Sequence, residues 1–345
     1  MKIGVINSGS SSLKYKLFEL ETMQVIEEKM IENIGESDAV VQNHEEALQK
    51  LNIDFDSLDA MGHRVVHGGE EFCEPTFFDE KKLERLRLLN HLAPLHNPAN
   101  VLGMEVVMRS APSLLQVGVF DTAFHTTMPP EAFLYALPKE LYKQHHIRRY
   151  GFHGTSHSYL LDQVAKKLQK DKNQLNIITL HLGNGASACA IKRGKSIDTS
   201  MGFTPLEGLV MGSRSGDLDS AIVLYLQEHL EMSSQEIEVL LNKKSGLLGL
   251  CGTNDVREIV EKNDEDSKLA IDMMVRRIQK YIGSYMVLLE DVDAIVFSGG
   301  IGENSQEIRE RVLDNKLIQN IPSFVIPTDE ELQIALLVRE KLLRK

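Results

Sequence analysis

Ile3-Gly4-Val5-Ile6-Asn7-Ser8-Gly9-Ser10-Ser11-Ser12-Leu13-Lys14 opens the chain: an apolar run, a turn of small polar residues, then a lysine. Ile177-Ile178-Thr179-Leu180-His181-Leu182-Gly183-Asn184-Gly185-Ala186-Ser187 repeats the arrangement half-way along. In each, a strand of buried character ends in a turn of Gly, Asn and Ser, and β-type sequence resumes. Such turns aim backbone N–H groups at an anion, and glycine lets the backbone come close. Two of them in one chain imply a duplicated α/β domain with phosphate held between the halves, and hence phosphoryl-transfer chemistry.

A second echo supports duplication. Asp59-Ala60-Met61-Gly62 leads to Gly68-Gly69, and Asp293-Ala294-Ile295-Val296 leads to Gly299-Gly300. Around these landmarks the pattern predicts strands over 1–7, 14–19, 60–67, 115–120, 176–181, 186–192 and 293–297. Helical spacing is expected over 45–51, 79–90 with Asp79 as N-cap, 97–109 with Pro98 in its first turn, 157–170, 218–230, 233–242, 264–290 and 329–343. The halves divide as 1–149 plus the returning helix 328–345, and 150–327.

With 345 residues there is room for two cores. A net charge of −12 disfavours nucleic acid or an anionic membrane as the main partner, so an anionic substrate needs a locally positive cleft. Cys73, Cys189 and Cys251 form no C-x-x-C pair and read as thiols of a reducing cytoplasm. Ile3–Ile6 is too short for the apolar core of a signal peptide, and no apolar run approaches the ~20 residues of a membrane span.

Three motifs mislead. Gly183-Asn184-Gly185-Ala186-Ser187-Ala188 fits a dinucleotide fingerprint, but that fingerprint must open a helix, and a hairpin strand follows here. Gly194-Lys195-Ser196 ends like a P-loop, yet Cys189 stands where its first glycine belongs. His153 and His157 have zinc-helix spacing but no glutamate beside the first histidine.

The motifs that carry chemistry are basic and glycine-flanked. Arg64 lies in Gly62-His63-Arg64-Val65-Val66-His67-Gly68-Gly69 and reads either as a salt-bridged strand residue or as an anion ligand. Arg214 sits in the loop Met211-Gly212-Ser213-Arg214-Ser215-Gly216-Asp217. Asp121 ends an apolar strand, where a carboxylate can organise cations or serve as a turn residue. His153 stands between glycines, a poor place for a core histidine and a good one for a donor facing a ligand.

Together with Ala93-Pro94-Leu95-His96-Asn97-Pro98, Gly202–Asp219, Ser298–Asn304 and Pro327–Leu332, these motifs resemble the acetate kinase family over nearly the whole chain. The resemblance implies two ribonuclease-H-like domains of the actin-like ATPase fold, with the active site in the interdomain cleft. It also implies reversible transfer from ATP to acetate, giving ADP and acetyl phosphate, with Mg²⁺ (Mn²⁺ as a substitute), in a cytoplasmic homodimer. By motif, Asn7 and Glu330 match the metal positions. Lys14, His181, Leu182, Gly183, Asn184, Gly185, Asp255, Val256, Arg257, Gly300, Ile301, Gly302, Glu303 and Asn304 match the nucleotide site. Arg64 matches the substrate-binding arginine, and Val66, Leu95, Phe152 and Pro205 the pocket for the acetate methyl. Asp121 matches the catalytic aspartate, and His153 and Arg214 the groups that stabilise the transition state. The chain is shorter than is usual for the family, with the shortfall between Leu20 and Ala60 and between Arg311 and Pro327. The alternatives are a propionate (short-chain acyl) kinase and a non-catalytic, nucleotide-responsive member of the same superfamily.

Overall fold

A computed structural model describes residues 1–9, 12–35, 41–94 and 96–345. Two compact units partition the chain: Met1–Thr126, Gly154–Ser158 and Asp329–Lys345 form one, and Thr127–His153 and Tyr159–Thr328 the other.

The first unit is built on a six-stranded sheet. Its strands are β1 (Lys2–Ser8), β2 (Leu13–Glu19), β3 (Gln24–Ile31), β4 (Ala60–Val65), β5 (Thr76–Phe77) and β6 (Leu115–Phe120), in the order β3-β2-β1-β4-β6-β5. β1 to β3 form an antiparallel meander, whereas β4 runs parallel to β1 and β6 parallel to β4. β1 is apolar nearly throughout because both faces of the sheet are covered. Ile3 and Val5 pack with Ile334, Ala335 and Val338 of the helix Glu330–Leu343. On the other face Ile6 joins Leu13, Tyr15 and Met61 with Ala47 and Leu48 of the helix His44–Lys50 and Val107 of the helix Asn97–Ser110. Gly62 sets how closely the last helix approaches: a Cβ there would lie 2.9 Å from the Cγ2 atoms of Ile334 and Val338.

The second unit repeats the plan. Its strands are β7 (Asn176–Leu182), β8 (Ala186–Lys192), β9 (Lys195–Thr199), β10 (Ala294–Ser298) and β11 (Ser323–Val325), in the order β11-β10-β7-β8-β9. Again three strands form an antiparallel meander, and β10 joins the first of them in parallel. The echo around Asp59 and Asp293 has a structural meaning. Asp59 accepts from the Lys2 amide at 2.7 Å and Asp293 from the Asn176 amide at 2.9 Å, each tying the start of a parallel strand to the start of its unit's first strand. The two units are ribonuclease-H-like folds, and the duplication is of the actin-like ATPase kind.

The predicted strands and the Asp79 cap are present, with limits moved by a few residues. β3, β5, β9 and β11 were not anticipated. β3 carries Val25, Ile26 and Met30 exposed, so its apolar residues follow no buried alternation. The helix expected over 157–170 begins at Gly154, whose amide donates to the Asp121 carbonyl at 2.9 Å. The glycine-rich stretch after β10, for which the sequence predicted no helix, forms the helix Gly299–Asn304, followed by Gln306–Leu313.

Candidate active site

In the first unit, the ends of β1, β4 and β6 and the start of the last helix bring Asn7, Arg64, Asp121 and Glu330 together. Arg64 Nη2 lies 2.7 Å from Asp121 Oδ2, and its Nε donates to Asp121 Oδ1 at 3.1 Å. Its Nη1 donates to Asn7 Oδ1 at 3.2 Å and lies 3.4 Å from Glu330. Asp121 is buried and also accepts from the Thr155 hydroxyl at 3.3 Å. Asn100, likewise buried, braces the strand ends: its amide nitrogen donates to the Ser8 carbonyl at 2.9 Å and its Oδ1 accepts from the Val66 amide at 3.0 Å.

Electrostatics in this cluster are tense. Burial pushes the Glu330 pKa up; Arg64 pulls it down, and the Asp121 and Glu331 charges push it up again, so the net displacement is upward. Arg64 is raised: burial opposes its charge, and Asp121 and Glu330 more than offset that. Glu331 is lowered despite its burial, because Asn7, Lys14 and Lys16 favour its ionised form. Lys14, matched to the nucleotide site by motif, here lies 3.2 Å from Glu331 and 3.3 Å from Glu28.

In the second unit a basic group forms around Gly185. His153, at φ +56°, caps the helix Gly154–Leu168, and its Nδ1 lies 2.9 Å from Ser187 Oγ on β8. Its ring centroid is 4.3 Å from that of His181. A Cβ on Gly185 would lie 3.4 Å from Arg214 Nη1 and 3.5 Å from His153 Nε2, so glycine keeps the ground between these groups open. Arg214 is half-buried. Its guanidinium donates to the Pro205 carbonyl at 3.1 Å and approaches the Met211 sulfur at 3.8 Å; among the described residues no carboxylate pairs with it. Burial alone lowers its pKa. A half-buried cation whose partners are a carbonyl and a thioether is a ready anion site.

The same unit carries a cavity of about 760 Å³ lined by Gly183, Asn184, Asp255, Val256, Arg257 and Gly300, with Ile301 and Asn304 beyond them. The lining mixes apolar Val256 and Ile301 with polar Asn184 and Asn304, a mixture and volume suited to a nucleoside. Of the residues assigned to the nucleotide by motif, Lys14, His181, Leu182, Gly185, Gly302 and Glu303 do not line it. Leu182 is fully buried, and the Glu303 carboxylate accepts from the Gly299 and Thr328 amides at 2.9 and 3.0 Å. The sequence reading missed Asn254, Val260, Glu261, Ser305, Gln306 and Glu307, which also line the cavity. The helices that bring most of them there start at Asp255 and Ser305, both side-chain N-caps, a signal the sequence did carry.

Of the apolar residues matched to the acetate methyl, Val66 belongs to the first unit, and Phe152 and Pro205 to the second. Val66 and Phe152 are buried. Leu95 lies outside the described residues.

Duplicated ribonuclease-H-like units, a nucleoside-sized cavity in the second and a buried arginine–carboxylate cluster in the first define an ATP-using kinase of the actin-like ATPase class. The Acetokinase family model matches residues 2–335, and the chain belongs to that family. It is 51% identical to the acetate kinase of Sulfurimonas denitrificans, an alignment of 389 positions that spans 100% of both chains. That length exceeds the 345 residues here, so the relative carries segments this chain lacks. Among solved structures, the acetate kinase of Porphyromonas gingivalis is 37% identical over 99% of each chain with a TM-score of 0.91. A propionate kinase from Francisella tularensis is 41% identical over 97% of this chain and 98% of its own, also with a TM-score of 0.91.

Proposed function

We propose that this protein is an acetate kinase that moves the γ-phosphoryl group of ATP to acetate. An acetate oxygen forms the new P–O bond, the bond to the ADP bridging oxygen breaks, and acetyl phosphate and ADP leave; the reverse reaction uses the same groups. The observation that carries the reading is the convergence of Asn7, Asp121 and Glu330 on Arg64. Such a site handles an incoming carboxylate and a polyphosphate through charge rather than through an activated nucleophile.

Acetate is already anionic, so the barrier is repulsion between two anions. Positioning and electrostatic stabilisation are then the main contributions. Asp121 grips the Nε and Nη2 edge of the Arg64 guanidinium, and Nη1, which here faces Asn7 and Glu330, is the group that turns to the substrate carboxylate. Arg214 neutralises charge on the transferring group, and His153 donates to one of its equatorial oxygens. Asp121 acts as an orienting group, since acetate has no proton to lose at neutral pH. Val66, Phe152 and Pro205, with Leu95, limit the acyl chain. The cavity residues Gly183, Asn184, Asp255, Val256, Arg257, Gly300, Ile301 and Asn304 hold the nucleotide, backed by His181, Leu182, Gly185, Gly302 and Glu303, with Lys14 on its phosphates.

The donors at Asn7 and Glu330 fit Mg²⁺: they are hard oxygens, few in number, in a crowded acidic cluster whose buried Glu330 is raised in pKa. Among the described residues no group of three or more acidic, histidine or cysteine side chains is placed to hold a metal ion, so in this reading Mg²⁺ would take most of its ligands from water and phosphate. Mg²⁺ bound there would neutralise phosphate charge; Mn²⁺ would serve in its place.

In this reading residues 1–149 with 328–345 form the acyl domain and 150–327 the nucleotide domain. The protein is a cytoplasmic homodimer; no described helix is long and apolar enough to cross a membrane. Ile222, Leu224 and Tyr225 are exposed on the helix Ala221–His229, which buries none of its residues, and this favours that helix as the dimer face. The similarity to a propionate kinase keeps propionate as a second substrate. Acetate-dependent release of ADP from ATP, with the acyl phosphate trapped by hydroxylamine, tests the proposal. ATP turnover independent of any carboxylate would overturn it.

A further inference from the structure

Glu331 has no role in the reaction as described so far, yet it is buried, at 5% exposure, beside Glu330. Its Oε1 accepts from Asn7 Nδ2 at 2.8 Å, and its Oε2 lies 3.2 Å from Lys14 and 3.5 Å from Lys16. Asn7 can present either its oxygen or its nitrogen to a ligand. A carboxylate only accepts and a guanidinium only donates. Nδ2 must therefore face Glu331, and Oδ1 must face Arg64. That is the orientation a cation or an arginine needs and an amide nitrogen would spoil.

We propose that Glu331 is a positioning residue: it fixes the Asn7 amide with its oxygen toward the metal and phosphate side. The inference rests on the reading of Asn7 as a metal-associated residue. Partners of this kind, one bond removed from the metal, typically change metal affinity by about 10–100-fold when lost.

Exchanging donor and acceptor tests it. Glu331→Gln leaves Arg64 alone to orient the Asn7 amide, because glutamine can donate or accept and no longer requires Nδ2 to face it. Asn7→Asp with Glu331→Gln restores a single arrangement: the glutamine nitrogen donates to one aspartate oxygen, the other oxygen faces Arg64, and net charge is unchanged. Mn²⁺ binding in the presence of ADP, read by electron spin resonance, gives affinity without turnover. Glu331→Gln is expected to weaken it about 10-fold, with a matching rise in the Mg²⁺ needed for half-maximal rate and a smaller change in kcat. The exchanged pair is expected to recover binding to within about 3-fold, by the same reasoning. Glu331→Gln combined with Lys16→Met is expected not to recover it, which separates amide orientation from lysine neutralisation. Unchanged Mn²⁺ binding in Glu331→Gln overturns the proposal. So does a folded exchanged pair that stays weak, recovery through Lys16→Met, or failure of every Glu331 variant, the exchanged pair included, to fold. A wild-type protein that binds Mn²⁺ and ADP but does not phosphorylate acetate would instead overturn the acetate kinase reading.

Discussion

At the scale of single residues, the two arginines differ in a way that mutation should expose. Replacing either by alanine is expected to lower kcat/KM at least ~100-fold, the loss of a contact to transition-state charge. Their stability effects should diverge. Arg64→Ala leaves buried Asp121 and Glu330 without their cation, and a loss of about 3 kcal/mol is expected from a broken buried pair. Arg214 has no carboxylate partner among the described residues, so Arg214→Ala should leave the denaturation midpoint unchanged or raise it. Equal destabilisation in urea melts would contradict these assignments. Val66→Ala is expected to raise propionate efficiency relative to acetate by ~10-fold, about one methylene of packing; an unmoved ratio removes Val66 from the acyl pocket. Arg64 and Asp121 were each legible in the sequence from their flanking motifs, but their pairing was not. Nor was Glu331 singled out: its meaning lies in Asn7, more than three hundred positions away in the chain.

At the scale of elements, β4 and the last helix decide the geometry. Gly62 lets Ile334 and Val338 lie against the strand, and the same helix begins with Glu330 and Glu331. Gly62→Val is expected to cost about 1–3 kcal/mol as overpacking and to raise the Mg²⁺ requirement by displacing those carboxylates; a normal melt and Mg²⁺ titration would contradict the packing account. The next residue, His63, is buried, and burial lowers its pKa from 6.5 to about 4. The unfolded chain therefore takes up the proton first, so this contribution to stability is full above pH 6.5 and is lost as pH falls toward 4. His63→Gln should flatten the stability profile across that window, and a profile as steep as the wild type's would show that His63 is not held neutral. Elements with continuous apolar runs, such as β1, β6 and β7, were legible because both faces are buried. β3 was hidden by its exposed apolar residues, and the helix Gly299–Asn304 by its glycines, which suggest a turn until Gly299 is seen at φ +76° against the Leu182 backbone. The cavity residues from Asn254 to Glu261 and from Ser305 to Glu307 were illegible for another reason. Short polar helices carry no periodicity that says which face meets a ligand.

At the scale of the whole molecule, duplication is the organising fact. It was legible in the repeated turns and in the Asp59 and Asp293 echo, and the two sheets bear it out in strand order and in matched hydrogen bonds. The homodimer proposal makes its own prediction. Leu224→Glu with Tyr225→Lys places charge on an apolar, exposed helix and should halve the mass seen by light scattering at micromolar concentration. An unchanged mass moves the interface elsewhere. The central claim is that Arg64, Arg214, Asp121 and the nucleotide cavity perform phosphoryl transfer to a small carboxylate. Its most direct test is kcat/KM for acetate, propionate and butyrate measured side by side with MgATP. The account predicts ADP release that depends on the carboxylate, with acetate used best and efficiency falling with each added methylene. A folded protein that binds ATP yet releases no more ADP with acetate than without it would contradict the account.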